Sequence, residues 1–232
     1  MKVLSLESSA KAASVAVSDG DIVIAQYFQA SGLTHSRTLL AMAQDILKNL
    51  DLKISDLDGI AIAVGPGSFT GIRIGLAAAK GLSWGSGKPL CGVSTLEAMA
   101  FLCPLENVTV CPVMDARRNQ VYNARFKIAE GKITRITEDR AIALDDLAEE
   151  IKKAEGPHFI LGDGALLCYN YLKDKGLEVM LAPEFNRLQN AWGVCKAASA
   201  SGRFISPDDI VPNYLRLSQA ERERLARLEG SK

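Results

Sequence analysis

A glycine-rich segment between an apolar run and a helical pattern is the strongest candidate for chemistry in this sequence. Residues 65–75 read GPGSFTGIRIG and follow the apolar run 59–64, GIAIAV. The backbone amides of such a strand-to-helix turn, together with the helix dipole, could bind a phosphate group. The segment lacks the lysine of a P-loop and does not match the G-x-G-x-x-G pattern. Gly67, Gly71 and Gly75 recur every fourth residue, which would also let another backbone pack closely, so packing and phosphate binding both stay open.

Three short turns are further candidates for binding an ion. Glu7–Lys11 (ESSAK) has no glycine, whereas turns that hold terminal phosphates commonly use Asp-x-Gly, so a hairpin closed by serines is favoured. Asp115–Asn119 (DARRN) occupies the equivalent place in the second half of the chain. Its aspartate could hold a metal or its arginines an anion, or the aspartate could simply pair with an arginine. Gly162–Gly164 (GDG) is too short to be specific, and a simple turn is favoured.

Histidine and cysteine usage indicates neither a metal centre nor a nucleophile. His35 and His158 are the only histidines, and no C-x-x-C pair occurs. No spacing suggests a Ser/His/Asp arrangement either. We therefore expect no catalytic residue, no cofactor and no metal site. We interpret the five cysteines as reduced core residues: Cys91, Cys103, Cys111, Cys168 and Cys195.

The composition is that of an ordinary globular protein. The 232 residues are 48% hydrophobic and 23% charged, and 27 basic residues balance 27 acidic ones. A net charge of zero excludes a strongly basic nucleic-acid module, although a local basic patch is compatible with it. The start, MKVLSLESSA, contains no long apolar region, and no apolar run approaches the roughly 20 residues that cross a bilayer. We therefore expect a cytoplasmic protein that does not bind membranes.

The predicted elements follow the order β-β-β-α-β-α-β-α twice, about 100 residues apart. In the first half we predict strands over 3–7, 14–18, 22–28, 59–64 and 90–93, and helices over 36–50, 70–84 and from 94 or 95 onward. In the second half we predict strands over 108–114, 120–128, 133–137, 159–161 and 177–181, and helices over 144–154, 165–173 and 188–201. This repetition predicts a duplicated α/β fold with a mixed sheet in each half. The expected units are 1–103, 104–206 and an extended C-terminal segment and tail, 207–232, whose last part (218–230) we interpret as a solvated helix or a frayed end.

Two helices of the first half carry more apolar surface than one core contact requires. The apolar residues of the helix over 36–50 cover an arc of roughly 160°. The helix over 70–84 is apolar on nearly every side, and only Arg73 and Lys80 interrupt it. We predict that both helices form one partner surface, unless they face the second half of the same chain. The candidate interface residues are Leu39, Met42, Ile46, Gly71, Ile74, Gly75 and Ala78.

Segments along nearly the whole chain resemble the TsaB family, also known as YeaZ, of the bacterial machinery that makes threonylcarbamoyladenosine (t6A) in tRNA. The glycine segment GPGSFTGIRIGLAAAKGL is the most specific of them. The others are VLSLESSAKAASVAV, THSRTLLAMAQDIL, GVSTLEAMA, MDARRNQVY and VPNYLR. The resemblance implies the duplicated actin-like, sugar-kinase-like (ASKHA) fold, in agreement with the repeated order of elements.

The resemblance also implies a role and partners. The role is that of a non-catalytic scaffold subunit that binds TsaD, the catalytic sister protein, for transfer of threonylcarbamoyl to N6 of adenosine 37 in tRNAs reading ANN codons. The ATPase TsaE would be a further partner, tRNA would be contacted through the complex, and the isolated chain could form a homodimer. TsaD carries a metal-binding H-x-x-x-H, and the two positions fall on Thr95 and Met99 in this sequence, which are poor ligands.

Two alternatives belong to other functional classes. An ATPase or small-molecule kinase of the same fold is disfavoured by the glycine-free turn at Glu7–Lys11 and by the missing metal ligands. A glycoprotease-like hydrolase is less favoured still, because neither a nucleophile nor a zinc motif is present.

Overall fold

The computed structural model describes residues 1–216, so the predicted solvated tail over 218–230 lies outside the described residues. The strands are β1 (Lys2–Glu7), β2 (Ala13–Asp19), β3 (Ile22–Gln29), β4 (Gly59–Gly65), β5 (Leu90–Ser94), β6 (Val108–Asp115), β7 (Gln120–Asn123), β8 (Phe126–Ala129), β9 (Lys132–Arg135), β10 (Arg140–Ala143), β11 (His158–Leu161) and β12 (Met180–Leu181). The helices are α1 (His35–Asn49), α2 (Phe69–Ser86), α3 (Thr95–Ala100), α4 (Leu144–Lys153), α5 (Ala165–Asp174) and α6 (Ala191–Ser201). Within residues 1–216, no helix is long and apolar enough to cross a membrane.

The first half forms a five-stranded mixed sheet in the order β3-β2-β1-β4-β5. β1, β4 and β5 are parallel, and β2 and β3 are antiparallel neighbours. α1 and α2 cover one face, where Leu4, Leu39 and Leu76 share a core. On the other face Ala61 packs with Val194 of α6. β4 is therefore buried on both sides, which explains its continuous apolar sequence.

The second half repeats this topology in the order β10-β7-β6-β11-β12. α4 and α5 cover one face, with Leu147 and Cys168 in the shared core. Leu96 and Met99 of α3 pack on the other face. The last helix of each half thus packs on the sheet of the other half, since α6 lies on the first sheet and α3 on the second. This exchange joins the halves through apolar contacts.

The strand predicted over 120–128 is in fact two strands. β7 pairs with Val113–Asp115 of β6, and β8 pairs with Val108–Val110. Pro112 lies between these two pairings. Because proline has no N–H to donate, it interrupts the ladder, and its carbonyl oxygen accepts a hydrogen bond of 3.0 Å from Nδ2 of Asn123 instead. The neighbouring strand is divided as well, because β9 pairs with β8 and the unpredicted β10 pairs with β7. With these two interrupted strands counted once each, the predicted duplicated α/β order is confirmed.

Two other boundaries differ from the prediction. β12 contains only Met180 and Leu181, so the strand predicted over 177–181 is too long. α6 begins at Ala191 rather than at 188. Oδ1 of Asn190 accepts the backbone N–H groups of Trp192 and Gly193, at 3.1 and 3.3 Å, and so fixes the start of this helix.

Candidate functional site

The glycine-rich segment holds the turn between β1 and β2. A Cβ atom added to Gly71 would lie under 3.0 Å from the carbonyl oxygen of Ser8, and one added to Gly75 would lie equally close to Oγ of Ser8. Oγ of Ser8 donates to the carbonyl oxygen of Gly71 (2.9 Å), and the N–H of Ser68 donates to the carbonyl oxygen of Ser9 (2.6 Å). Packing therefore accounts for the spacing of these glycines. The amide of Ser68, which could have faced a phosphate, is already bonded.

The turn itself buries an acid. Glu7 is 1% exposed, and its Oε1 accepts the N–H of Ser9 at 2.6 Å. Burial raises the pKa of Glu7 to about 7, against the opposing effect of the hydrogen bonds from Ser9 and Ser8. Asp163 of the second half raises this pKa further by charge repulsion. Oε2 has no hydrogen-bond partner among the described residues. A buried carboxyl group at this position disfavours an adjacent anion.

A cavity of about 580 Å³ lies between the two halves. Its walls come from the three turns that the sequence indicates as ion-binding candidates, from the start of α2 and from the segment 213–216. Charged or polar residues lining it include Ser9, Lys11, Thr70, Asp115, Arg117, Asp163, Asn213 and Arg216. The fold therefore brings Glu7–Lys11, Asp115–Asn119 and Gly162–Gly164 together at one cleft.

The C-terminal segment crosses this cleft, which the sequence does not indicate. The N–H of Asn213 donates to the carbonyl oxygen of Val64 (2.8 Å). The ring of Tyr214 stacks on Phe69 at 4.6 Å, and its hydroxyl accepts from Nε of Arg73 at 3.0 Å. On the other side the guanidinium of Arg216 donates to the carbonyl oxygen of Ala116 (2.7 Å). The segment is thus bonded to both halves.

The two positions that carry metal ligands in the sister family are core positions here. Thr95 is fully buried, and Met99 packs among the apolar residues under the second sheet. The neighbouring polar residues form a network instead. Oγ of Ser94 donates to Asp139 (2.6 Å), and Arg135 bridges Asp139 and Glu97 at 2.7 and 3.0 Å. Within residues 1–216, no group of three or more His, Cys, Asp or Glu side chains is placed to hold a metal ion.

The predicted interface residues fall into three groups. Leu39 and Ile46 are each 1% exposed and belong to the core beneath α1. Gly71 and Gly75 are buried beneath the β1–β2 turn. The partly exposed residues are Met42, Ile74 and Ala78.

The outward side of α2 extends this exposed group. We define the α2 outer face by Ile74, Ala77, Ala78, Gly81 and Trp84, which recur at helical spacing. Trp84 is 58% exposed. A Cβ atom added to Gly81 would meet no atom within 4 Å. On α1, Leu40 adds a side chain that is 48% exposed. The sequence predicted apolar residues on the outward side of α2, because this helix is apolar on nearly every side, and the candidates Ile74 and Ala78 lie there; their role in binding a partner stays a prediction.

Comparisons with known proteins indicate the family to which this chain belongs. Residues 29–163 match the family model described as TsaD, tRNA N6-adenosine threonylcarbamoyltransferase. The tRNA threonylcarbamoyladenosine biosynthesis protein TsaB of Bacillus subtilis is 30% identical, over 95% of this chain and 96% of its own, and that of Escherichia coli is 32% identical, over 93% and 95%. The solved structure of a YeaZ-like protein from Pseudomonas aeruginosa superposes with a TM-score of 0.76 at 24% identity, over 93% of this chain and 99% of its own.

The fold and the family follow from these findings. The fold predicted from the sequence, a duplicated actin-like one, is confirmed. The TsaB relatives are similar over nearly the full length of both chains, whereas the TsaD model covers only the middle of this chain. The chain belongs to the TsaB family of tRNA threonylcarbamoyladenosine biosynthesis proteins, within the wider family that the TsaD model describes.

Proposed function

We propose that this chain is a non-catalytic scaffold subunit of the t6A machinery and binds a TsaD-type catalytic paralogue through the α2 outer face and α1. The main support for this proposal is the outward side of α2, where Ala77, Gly81 and Trp84 are exposed to solvent. Small residues let a second helix approach closely, and a tryptophan is a typical anchor of protein interfaces. Two helices from each protein could together bury an area near the standard interface of about 1,600 Å².

The second half offers an internal comparison. α5 is the topological counterpart of α2 and begins with the exposed pair Leu166–Leu167. Its last two turns, however, expose Asn170, Lys173 and Asp174. α2 exposes the polar residues Thr70 and Arg73 in its first two turns, but beyond them its exposed residues are Ala77, Gly81, Trp84 and Gly85. The difference supports α2 as the binding helix, because water-facing helices normally carry polar residues on their outward side.

The cleft supports a non-catalytic role. A kinase or ATPase of this fold would need the β1–β2 turn to receive phosphates, but that turn carries the buried Glu7 and is bonded to Ser68. Residues 213–216 also lie in the cleft. Transfer of threonylcarbamoyl to adenosine 37 of ANN-reading tRNAs would then take place on the paralogue, with an ATPase of the TsaE type as a further partner. In the absence of the paralogue, the same face would support a homodimer.

Co-purification with a TsaD paralogue, followed by size-exclusion chromatography, tests the proposal. Ala77→Glu places a charge on the exposed side of α2, where it stays in water in the free chain. We expect this variant to melt like the wild type and to elute apart from the paralogue. Asn170→Glu, on the exposed side of α5, is the matched control and should co-elute as the wild type does. A folded Ala77→Glu variant that still forms the complex would refute the proposal.

A further inference from the structure

The turn between β6 and β7 has an unusual backbone. Arg117, Arg118 and Asn119 all have positive φ angles, of 62°, 56° and 55°. Residues other than glycine and asparagine rarely adopt this left-handed backbone conformation, and two successive arginines adopt it here. Residues with such strain persist only where the surroundings fix them, and they cluster at functional sites.

Several hydrogen bonds fix this turn. Oδ1 of Asp115 accepts the N–H of Arg117 (2.7 Å), and the carbonyl oxygen of Arg117 accepts the N–H of Gln120 (3.2 Å). The carbonyl oxygen of Asn119 accepts the N–H of Leu144, the first residue of α4, at 3.0 Å. Arg216 donates to the turn from the C-terminal segment. These hydrogen bonds hold the backbone of the turn in place, and with it the positions from which its exposed side chains extend.

The charge around the turn is mainly positive. Arg118 is exposed, and Lys11, Arg117 and Arg216 line the adjoining cleft. The acids nearby are Asp115, the half-buried Asp163, which accepts a hydrogen bond from Gln189, and Glu7, which is buried in the β1–β2 turn. Since the whole chain has equal numbers of acidic and basic residues, this group is a local concentration of cations.

We propose that Arg118, together with Lys11 and Arg216, contacts the phosphate backbone of the RNA on which the complex acts. The inference rests on the proposed function, because a subunit held against a tRNA-modifying paralogue lies beside a polyanion. The planar guanidinium group matches a phosphate and can bind it through two hydrogen bonds. Such contacts position the nucleic acid without reading its sequence. A rigid turn also has less freedom to lose when it binds.

Substitutions in the turn distinguish the effect of the Arg118 charge from the effect of backbone strain. Arg118→Gly removes the charge and relieves the backbone, whereas Asn119→Gly relieves the backbone alone. Arg118→Lys keeps the charge on a strained residue. Arg203→Ala is the distant control, because Arg203 is exposed next to the start of β5, at the sheet edge opposite the cleft. The assay is binding of an unmodified tRNA over a range of salt concentrations, with the isolated chain and with the chain–paralogue complex.

We expect Arg118→Gly to melt no lower than the wild type and to bind tRNA about fivefold more weakly at roughly 0.1 M salt, with the salt slope reduced by about one. Asn119→Gly and Arg203→Ala should bind as the wild type does, and Arg118→Lys should keep most of the affinity. Unchanged affinity and slope for Arg118→Gly in both preparations would overturn the inference.

Two other outcomes are equally decisive. If Arg118→Gly weakens binding of the paralogue but not of tRNA, the turn contacts an acidic protein surface and the inference is wrong. If the wild-type chain forms no complex with the paralogue, the proposed function fails, and the titration of the isolated chain still decides this inference. An isolated wild-type chain that neither binds tRNA nor forms the complex would contradict both.

Discussion

The two sides of α2 should respond in opposite ways to the same substitution, Gly→Ala. Gly71 faces the β1–β2 turn, and a Cβ atom there would lie under 3.0 Å from the carbonyl oxygen of Ser8. Gly81 lies in the same helix and would meet no atom within 4 Å. The pair is therefore matched in residue type and in secondary structure, and differs in what surrounds it.

The magnitudes follow from these surroundings. In Gly71→Ala the β1–β2 turn must move away, which disturbs the hydrogen bond between Ser8 and Gly71 (2.9 Å). Overpacking costs about 1–3 kcal/mol, the disturbed hydrogen bond costs about 1 kcal/mol, and the better helix propensity of alanine returns about 1 kcal/mol. The net loss is about 1–3 kcal/mol, or roughly 2–12 °C in melting temperature for a protein of this size. Gly81→Ala should gain about 1 kcal/mol and melt roughly 2–4 °C higher.

Thermal and urea unfolding followed by circular dichroism would measure both changes. The free energy of unfolding should fall for Gly71→Ala and rise for Gly81→Ala. If Gly71→Ala is as stable as the wild type, the close packing of Ser8 on α2 is wrong. If Gly81→Ala is destabilised, the outward side of α2 is covered in the free chain, and the proposed partner surface would lose its basis.

Two further predictions concern the β1–β2 turn. The folded-state pKa of Glu7 is raised from 4.5 to about 7, so unfolding releases a proton between these values and stability falls as the pH rises through them, by up to about 3 kcal/mol. Glu7→Gln should flatten this part of the stability–pH curve, while Glu178→Gln, at an exposed site, should leave it unchanged; a curve that is the same in Glu7→Gln and wild type would count against the buried acid. Calorimetry of the isolated chain with ATP and magnesium should detect no tight binding, and a low-micromolar dissociation constant, about −8 kcal/mol, would restore the kinase or ATPase alternative.

The sequence predicts most of the elements because the local patterns are strong. The run GIAIAV and the Asp19–Gly20 turn place β4 and the β2–β3 hairpin correctly. The break between β7 and β8 is different, since its cause, Pro112, lies on the partner strand. A break that one strand imposes on another depends on their pairing, which periodicity within one segment does not contain.

The candidate site is only partly predictable for a similar reason. The apolar arc of α1 is visible in the sequence, but its middle and its margin are not distinguished. Leu39 and Ile46 turn out to lie in the core, whereas Leu40 faces outward. The three ion-binding candidate turns are each visible as well. Their convergence at one cleft depends on how the two sheets face each other, and the crossing by residues 213–216 depends on contacts far apart in sequence.

The inward and outward sides of α2 differ in what they contact. The inward glycines bring the β1–β2 turn against the helix, and Glu7 at the start of this turn is buried. Because burial raises the pKa of Glu7 to about 7, its carboxyl group is neutral in a large share of the molecules at neutral pH, so the close packing of the turn on α2, more than charge repulsion, occupies the Ser68 amide. The same helix leaves alanine, glycine and tryptophan on its outward side. In the proposed function this outward side of α2 binds the protein partner, while the cleft keeps the cations Lys11 and Arg216 for the proposed RNA contact.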